Sequence, residues 1–127
     1  MEKTIFFTSK APAPVGPYSQ AIKAGNFLFV SGQIPLDPQT GKVVQNSFEA
    51  QCRRVLDNLK SIVDEAGSSL EKVVKVNIYL IDLGKFSQLN AIYSEYFGQS
   101  KPARACVQVA RLPLDVEVEI EAVAMLD

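Results

Sequence analysis

Val116-Glu-Val-Glu-Ile-Glu-Ala-Val-Ala124 alternates apolar and acidic residues almost without interruption. A period of two is the mark of a β-strand with one buried and one open face. Val116, Val118, Ile120 and Ala122 point to the first, and Glu117, Glu119 and Glu121 to the second. Three carboxylates in a row repel one another, so their face is wet or supplied with cations. Upstream, Ala103 to Ala110 reads as a strand with Arg104, Cys106 and Gln108 on one face. The five-residue connection Arg-Leu-Pro-Leu-Asp (111–115) joins the two segments, which read together as a strand pair. Strand order and register decide whether Arg104 shares a face with the glutamates, and the spacing leaves both arrangements open. A solvated strand with surface ion pairs is the plain alternative, and such pairs contribute little to stability.

Further back, Lys85 to Phe97 has a helical stripe of Phe86, Leu89, Tyr93, Tyr96 and Phe97, stopped by Gly98. Lys72 to Ile81 is a β-branched strand with Val74, Val76, Ile78 and Leu80 on one face and Lys75, Asn77 and Tyr79 on the other. The clearest helix begins near Asn46 or Ser47 and ends near Gly67. Phe48, Cys52, Val55, Leu56, Leu59, Ile62, Val63 and Ala66 form its buried face. Asn46 with Glu49 resembles a capping box, and Gly67 suits the C′ position. Ser19 to Ala24 and Phe27 to Ser31 flank Gly25-Asn26 and read as a β-hairpin. Ser31 to Pro35 breaks that pattern, and Asp37 to Gly41 is turn-rich. The proline-rich Ala11 to Tyr18 is an extended, stiff loop.

The order is β-β-α-β-α-β-β, an α+β single domain over 1–127 with two helices on one face of a mixed sheet. Two helices cover only one face, while Val73, Phe27 and Phe29 make the other partly apolar. An uncovered apolar face predicts a homo-oligomer.

Composition narrows the function. The 127 residues are 47% hydrophobic and 21% charged, with net charge −1, which is ordinary for a globular domain and lacks the basic footprint of a nucleic-acid binder. Arg53-Arg54 is the only adjacent basic pair and falls within the long helix. No stretch approaches the ~18 apolar residues of a membrane span. No secretory signature is present, so a reducing, cytoplasmic setting is expected. Histidine is absent, which removes the usual general base and the commonest metal ligand. With two scattered cysteines, no metal site and no cofactor are expected.

Four segments carry a resemblance to a known family. Lys101-Pro-Ala-Arg-Ala-Cys-Val-Gln-Val-Ala-Arg-Leu-Pro-Leu-Asp-Val-Glu-Val-Glu-Ile-Glu-Ala-Val-Ala124 closely resembles the C-terminal signature of the reactive-intermediate deaminase (Rid) family. Gly16-Pro-Tyr-Ser-Gln20, Ser31-Gly-Gln-Ile-Pro35 and Asn90-Ala-Ile-Tyr93 resemble it as well. The likeness runs the length of the chain with no evident gap. It implies a chorismate-mutase-like fold, assembled as a homotrimer with clefts between adjacent subunits. In the archetypal RidA subgroup the arginine matching Arg104 binds the substrate carboxylate, and the backbone at the position of Cys106 lines the site. The glutamate matching Glu119 orients or activates water. Residues matching Tyr18, Ser31, Gly32 and Asn90 contribute from the cleft walls. All are present here.

The activity so implied is cofactor-independent hydrolysis of reactive imino acids of the 2-aminoacrylate/2-iminopropionate type to 2-keto acids and ammonia, a detoxification reaction. An imine carbon is already electrophilic, so little acid–base power is required and the missing histidine is no obstacle. Arg104 supplies the planar fork that matches a carboxylate. Glu119 accepts a proton from water, and Tyr18 hydrogen-bonds near the imine nitrogen. Plainer readings stand beside these. Tyr18 packs behind the proline loop, and Ser31 and Asn90 serve local hydrogen bonds. Cys106 suggests a thiolate nucleophile, which the lack of an activating histidine and the family's use of this position through its backbone both oppose. Two other functions fit the same residues. One is a non-catalytic trimer that binds a small carboxylate, which needs Arg104 alone. The other is an endoribonuclease, which the charge and the missing histidine oppose.

Overall fold

The alternating C-terminal segment becomes the central strand of a six-stranded sheet in the computed structural model, which describes residues 1–127. The strands are β1 (Lys3–Phe6), β2 (Ala21–Ala24), β3 (Phe27–Gln33), β4 (Val73–Leu80), β5 (Ala103–Gln108) and β6 (Val118–Met125), with helices α1 (Phe48–Glu65) and α2 (Phe86–Phe97). Their order across the sheet is β1-β2-β3-β6-β4-β5. Only β4 and β5 pair in parallel, so the sheet is mixed, as expected. Both helices pack on one face.

Helix α1 forms because its apolar positions line one side. Cys52, Val55, Leu56, Leu59, Ile62 and Val63 are all fully buried. Truncating one of them, Leu59 to alanine for instance, would cost about 2–5 kcal/mol. Ser47 caps the helix, its hydroxyl accepting from the Ala50 N–H at 3.0 Å. Asn46 and Glu49 do not form the capping box. Glu49 instead reaches forward to Arg53 at 3.0 Å, where the charged pair outweighs a second, solvent-accessible cap. Gly67 ends the helix with φ +89°, the left-handed conformation glycine tolerates best. Gly25, at φ +57°, turns the β2–β3 hairpin for the same reason.

Four expectations are corrected. The N-terminal segment contributes β1, an edge strand too short and too exposed to announce itself. The two C-terminal strands are not paired with each other: β4 lies between β5 and β6. The long stretch from Val109 to Glu117 is thus a crossover around β4 rather than a hairpin loop. A bulge between Val73 and Lys75 shifts the phase of β4, so Val73 is buried and Val74 only partly so. Glu117 precedes β6 and leaves the acidic row, its carboxylate pairing with Lys85 and its N–H donating to Gln51 of α1.

Beneath the helices, Leu28, Val76, Ile78, Leu80, Val118 and Ile120 complete the core. The other face carries Ile5, Phe27 and Phe29, exposed at 66%, 42% and 47%. They form an apolar half opposite a polar half of Asn77, Tyr79, Glu119 and Glu121. No helix is long and apolar enough to cross a membrane.

Candidate active site

Strand phase divides the candidate residues into two groups. On β5, Arg104 lies opposite Val76, Cys106 opposite Ile78 and Gln108 opposite Leu80. Those β4 residues face the helices, so Arg104 and Cys106 do too. On β6, Glu119 lies opposite Tyr79 and Glu121 opposite Asn77, on the open face. Arg104 and Glu119 therefore stand on opposite sides of one sheet.

The first group gathers where α2 meets β5. Arg104 Nη1 donates to Asn90 Oδ1 at 2.8 Å, and the guanidinium carbon lies 4.8 Å from the Tyr93 ring centre and 5.4 Å from that of Phe86. A pocket of roughly 410 Å³ opens beside them, bounded also by Phe97, Lys101 and Pro102. Strand β5 is an edge, and its hydrogen-bond phase is set by Val109, whose N–H donates to the Leu80 carbonyl at 2.8 Å. Backbone groups alternate sides along a strand. Those of Ala105 and Val107 consequently point at β4, and those of Arg104 and Cys106 point outward, free to take a ligand. The Cys106 thiol itself is half-buried against the core. Burial pushes its pKa up, with Arg104 opposing only in part. The sulfur stays a protonated thiol, a poor nucleophile.

The second group lines a pocket of roughly 490 Å³ on the open face, bounded by Val15, Tyr18, Ser31, Gly32, Ile34, Pro113, Leu114 and Glu119. The sequence pattern put Ser31 and Gly32 at a break. The structure makes that break a bulge in the β3–β6 pairing between Val30 and Gln33. Ser31 Oγ donates to the Ser19 carbonyl, tying the bulge to the loop that carries Tyr18. The loop is held from below by buried Gln20, whose amide donates to the carbonyls of Thr8 and Pro12 at 3.0 and 2.9 Å. Tyr18 is half-exposed, its hydroxyl accepting weakly from the Val15 N–H at 3.4 Å.

Glu119 comes so close to Gly32 that a Cβ there would sit 1.9 Å from Oε2. Glycine is what lets the carboxylate lie against the bulge. Burial, and secondarily the charge of Glu121, raise the Glu119 pKa. Glu121 is better satisfied, accepting from the Tyr79 hydroxyl at 3.2 Å and from Asn77.

Within one chain, then, Arg104, Asn90 and Cys106 form one cluster, and Tyr18, Ser31, Gly32 and Glu119 another. Two features escaped the sequence: the aromatic bed under Arg104, and the apolar wall of Val15, Ile34, Pro113 and Leu114. Phe86 and Tyr93 read as core stripe residues because nothing in their spacing says that β5 packs beside α2.

Residues 8–126 match the model of the family described as Endoribonuclease L-PSP. The chain belongs to this family, the Rid proteins. It is 59% identical to a RutC family protein of Pyrococcus abyssi, over 98% of both chains. It is 48% identical to the chloroplastic Reactive Intermediate Deaminase A of Arabidopsis thaliana, covering 99% of this chain and 67% of that one. Among solved structures, Escherichia coli TdcF with bound serine superposes with a TM-score of 0.91 at 42% identity, covering 96% of this chain and 98% of TdcF. The α+β Rid fold read from the sequence is the fold observed.

Proposed function

We propose that this Rid protein is an imine deaminase, hydrolysing 2-imino acids of the 2-iminopropionate or 2-iminobutanoate type to the 2-keto acid and ammonia. The separation of Arg104 from Glu119 carries the reading in its specific form: the two half-sites face one another only when a second copy supplies one of them. A cyclic homotrimer does this three times over, each β5 edge meeting the open face of a neighbour. The same packing covers Phe27 and Phe29, which otherwise stand in water. A cytoplasmic location suits such a soluble metabolic enzyme.

In the completed cleft the Arg104 fork and the outward backbone of Cys106 hold the substrate carboxylate. The imine carbon then sits over the neighbour's wall. Water adds to the carbon of the protonated imine while Glu119 takes the water's proton, with the Tyr18 hydroxyl alongside the nitrogen. Glu119 hands that proton to the nitrogen of the resulting amino-alcohol, and ammonia leaves as the hydroxyl proton passes to Glu119, giving the keto acid. Burial raises the Glu119 pKa, which makes its carboxylate a stronger base. No histidine, metal or cofactor enters these steps.

Two namings point this way. The Arabidopsis relative is named a reactive-intermediate deaminase, and TdcF was solved with serine, a ligand of matching size and charge. The family description also names an endoribonuclease. A phosphodiester chain would have to approach the carboxylates of Glu119 and Glu121, like charge against like, so that reading fits the cleft less well. A trimer that merely binds small carboxylates would need Arg104 without Glu119.

The test generates imines in place with an amino-acid oxidase and follows ammonia release. Wild type is expected to accelerate it, Arg104→Ala to be about 30- to 1,000-fold weaker, as for a lost charge-assisted pair worth 2–4 kcal/mol, and Arg104→Lys to recover little. Wild-type-like turnover by a properly assembled Arg104→Ala protein would refute the arginine clamp.

A further inference from the structure

An arginine on an exposed edge strand has many rotamers open to it, yet this site needs one plane. Helix α2 presents Phe86, Asn90 and Tyr93 at i, i+4 and i+7, a spacing that stacks side chains on one face. All three meet the Arg104 guanidinium. Two ring centres lie 5.4 and 4.8 Å from its carbon, and Asn90 takes one donor at 2.8 Å. The Arg104 Nε and Nη2 groups have no partner within the chain, although Asn90 engages Nη1. We propose that Phe86 and Tyr93 are positioning residues, aromatic walls that hold the Arg104 guanidinium in the plane in which it receives the substrate carboxylate.

The geometry separates two jobs. The rings, through cation–π attraction, restrict tilting and rotamer exchange. Asn90 fixes rotation within the plane by engaging Nη1, which leaves Nη2 and Nε as the free edge. Tyr93 makes the role testable because its hydroxyl contributes nothing visible. The Tyr93 side chain is 8% exposed, and its oxygen is buried without a hydrogen-bond partner. A ring face is what the position supplies. Removing an orphaned buried hydroxyl is neutral or stabilising, since no partner is stranded. The tilted stack of Tyr93 on Phe97, 4.8 Å between ring centres, keeps that face turned to the arginine.

This rests on the deaminase reading, and the experiment keeps the two apart by measuring carboxylate binding as well as turnover. Wild type, Tyr93→Phe, Tyr93→Leu and Phe86→Leu are compared in pyruvate titrations, in imine hydrolysis, and by NMR of the Arg104 guanidinium nitrogens. Tyr93→Phe should match wild type within about twofold in all three, with an unchanged or higher melting temperature. Tyr93→Leu and Phe86→Leu should bind pyruvate and imine roughly 5- to 30-fold more weakly, the loss of about 1–2 kcal/mol of cation–π contact. The loss should appear in KM with kcat little changed, because a carboxylate contact is shared by substrate and transition state. Slow guanidinium rotation in wild type should become fast in both leucine variants. Phe86 is only partly buried, so Phe86→Leu keeps the test open should Tyr93→Leu fail to fold. Wild-type affinity and rotation in a folded leucine variant would overturn the proposal. So would a Tyr93→Phe protein as weak as Tyr93→Leu, since the hydroxyl would then matter. If wild type binds pyruvate, the leucine variants lose it, and no imine is hydrolysed by any of them, the positioning role stands and the deaminase reading falls.

Discussion

Arg104 and Glu119 project from opposite faces of one sheet, with β4 and its buried face between their strands. Two strand spacings, about 10 Å, and the thickness of the sheet separate them. No side-chain rotation brings them onto one small substrate. Each is instead set into its own pocket, the arginine on the aromatic side of α2 and the carboxylate against a glycine bulge.

Gly32→Ala tests the bulge. The added methyl would meet Glu119 Oε2 at 1.9 Å, so the carboxylate must swing away, while the backbone there needs no positive φ. Activity should fall on the order of 10- to 100-fold, as expected for a catalytic group displaced by about 1 Å. Stability should change by no more than about 1 kcal/mol, since the obstructing atoms belong to a movable side chain. Calorimetry and turnover on the same sample check both. A large drop in melting temperature would mean that Gly32 serves the fold rather than the site.

Glu119→Gln should separate activity from stability with opposite signs. The folded state raises the Glu119 pKa, chiefly by burial, so the folded protein holds this proton more tightly than the unfolded one. The stability linked to that proton is fully present below the unfolded pKa and is lost as pH rises through the folded value. At neutral pH the ionised carboxylate therefore weighs against folding. Glutamine removes that charge, so the variant should melt at or above the wild-type temperature near pH 7. The difference should shrink as the pH falls into the acid range. Its imine hydrolysis should be strongly reduced throughout. Wild-type activity should itself decline on the acid side as Glu119 becomes protonated. A Glu119→Gln protein less stable at pH 7 than wild type would contradict the sign.

Cys106→Ala should keep most of its activity. Burial raises the thiol pKa, and the proposed ligand contact is the outward backbone, which the substitution leaves unchanged. Single-turnover assays and thiol titration on the folded variant decide this. Near-complete loss with normal assembly would require a thiol mechanism.

Much of this was legible in the chain itself, for physical reasons that differ by element. Helix α1 declared itself because eight apolar residues keep a 3.6-residue period between Ser47 and Gly67. The alternation of β6 likewise revealed which of its residues are buried. Periodicity describes one element at a time, however, and strand order is a relation between elements. Ala103–Gln108 and Val118–Met125 follow one another closely enough to suggest a pair, yet the parallel β4–β5 pairing inserts β4 between them. That single topological fact moves Arg104 to the helix side. The bulge at Val73–Lys75 is silent for a related reason: one extra residue reverses which side chain faces the core, with no change in composition. Ser31–Gly32, by contrast, shows in the sequence only as a break in the hairpin pattern. The candidate residues were named by resemblance to the family, and their division into two clusters came only from the fold.

The division makes the central claim directly measurable. Arg104→Ala and Glu119→Gln chains, each impaired alone, are mixed in equal amounts, unfolded, refolded together and checked by native mass spectrometry for mixed assemblies. In a cyclic assembly each cleft draws its arginine half from one copy and its carboxylate half from the next, so random mixing should leave about a quarter of the clefts intact. Imine hydrolysis should then return to roughly one quarter of the wild-type rate per chain, far above either variant alone. Mixed trimers that form normally and show only the average of the two parent activities would contradict a site shared between copies.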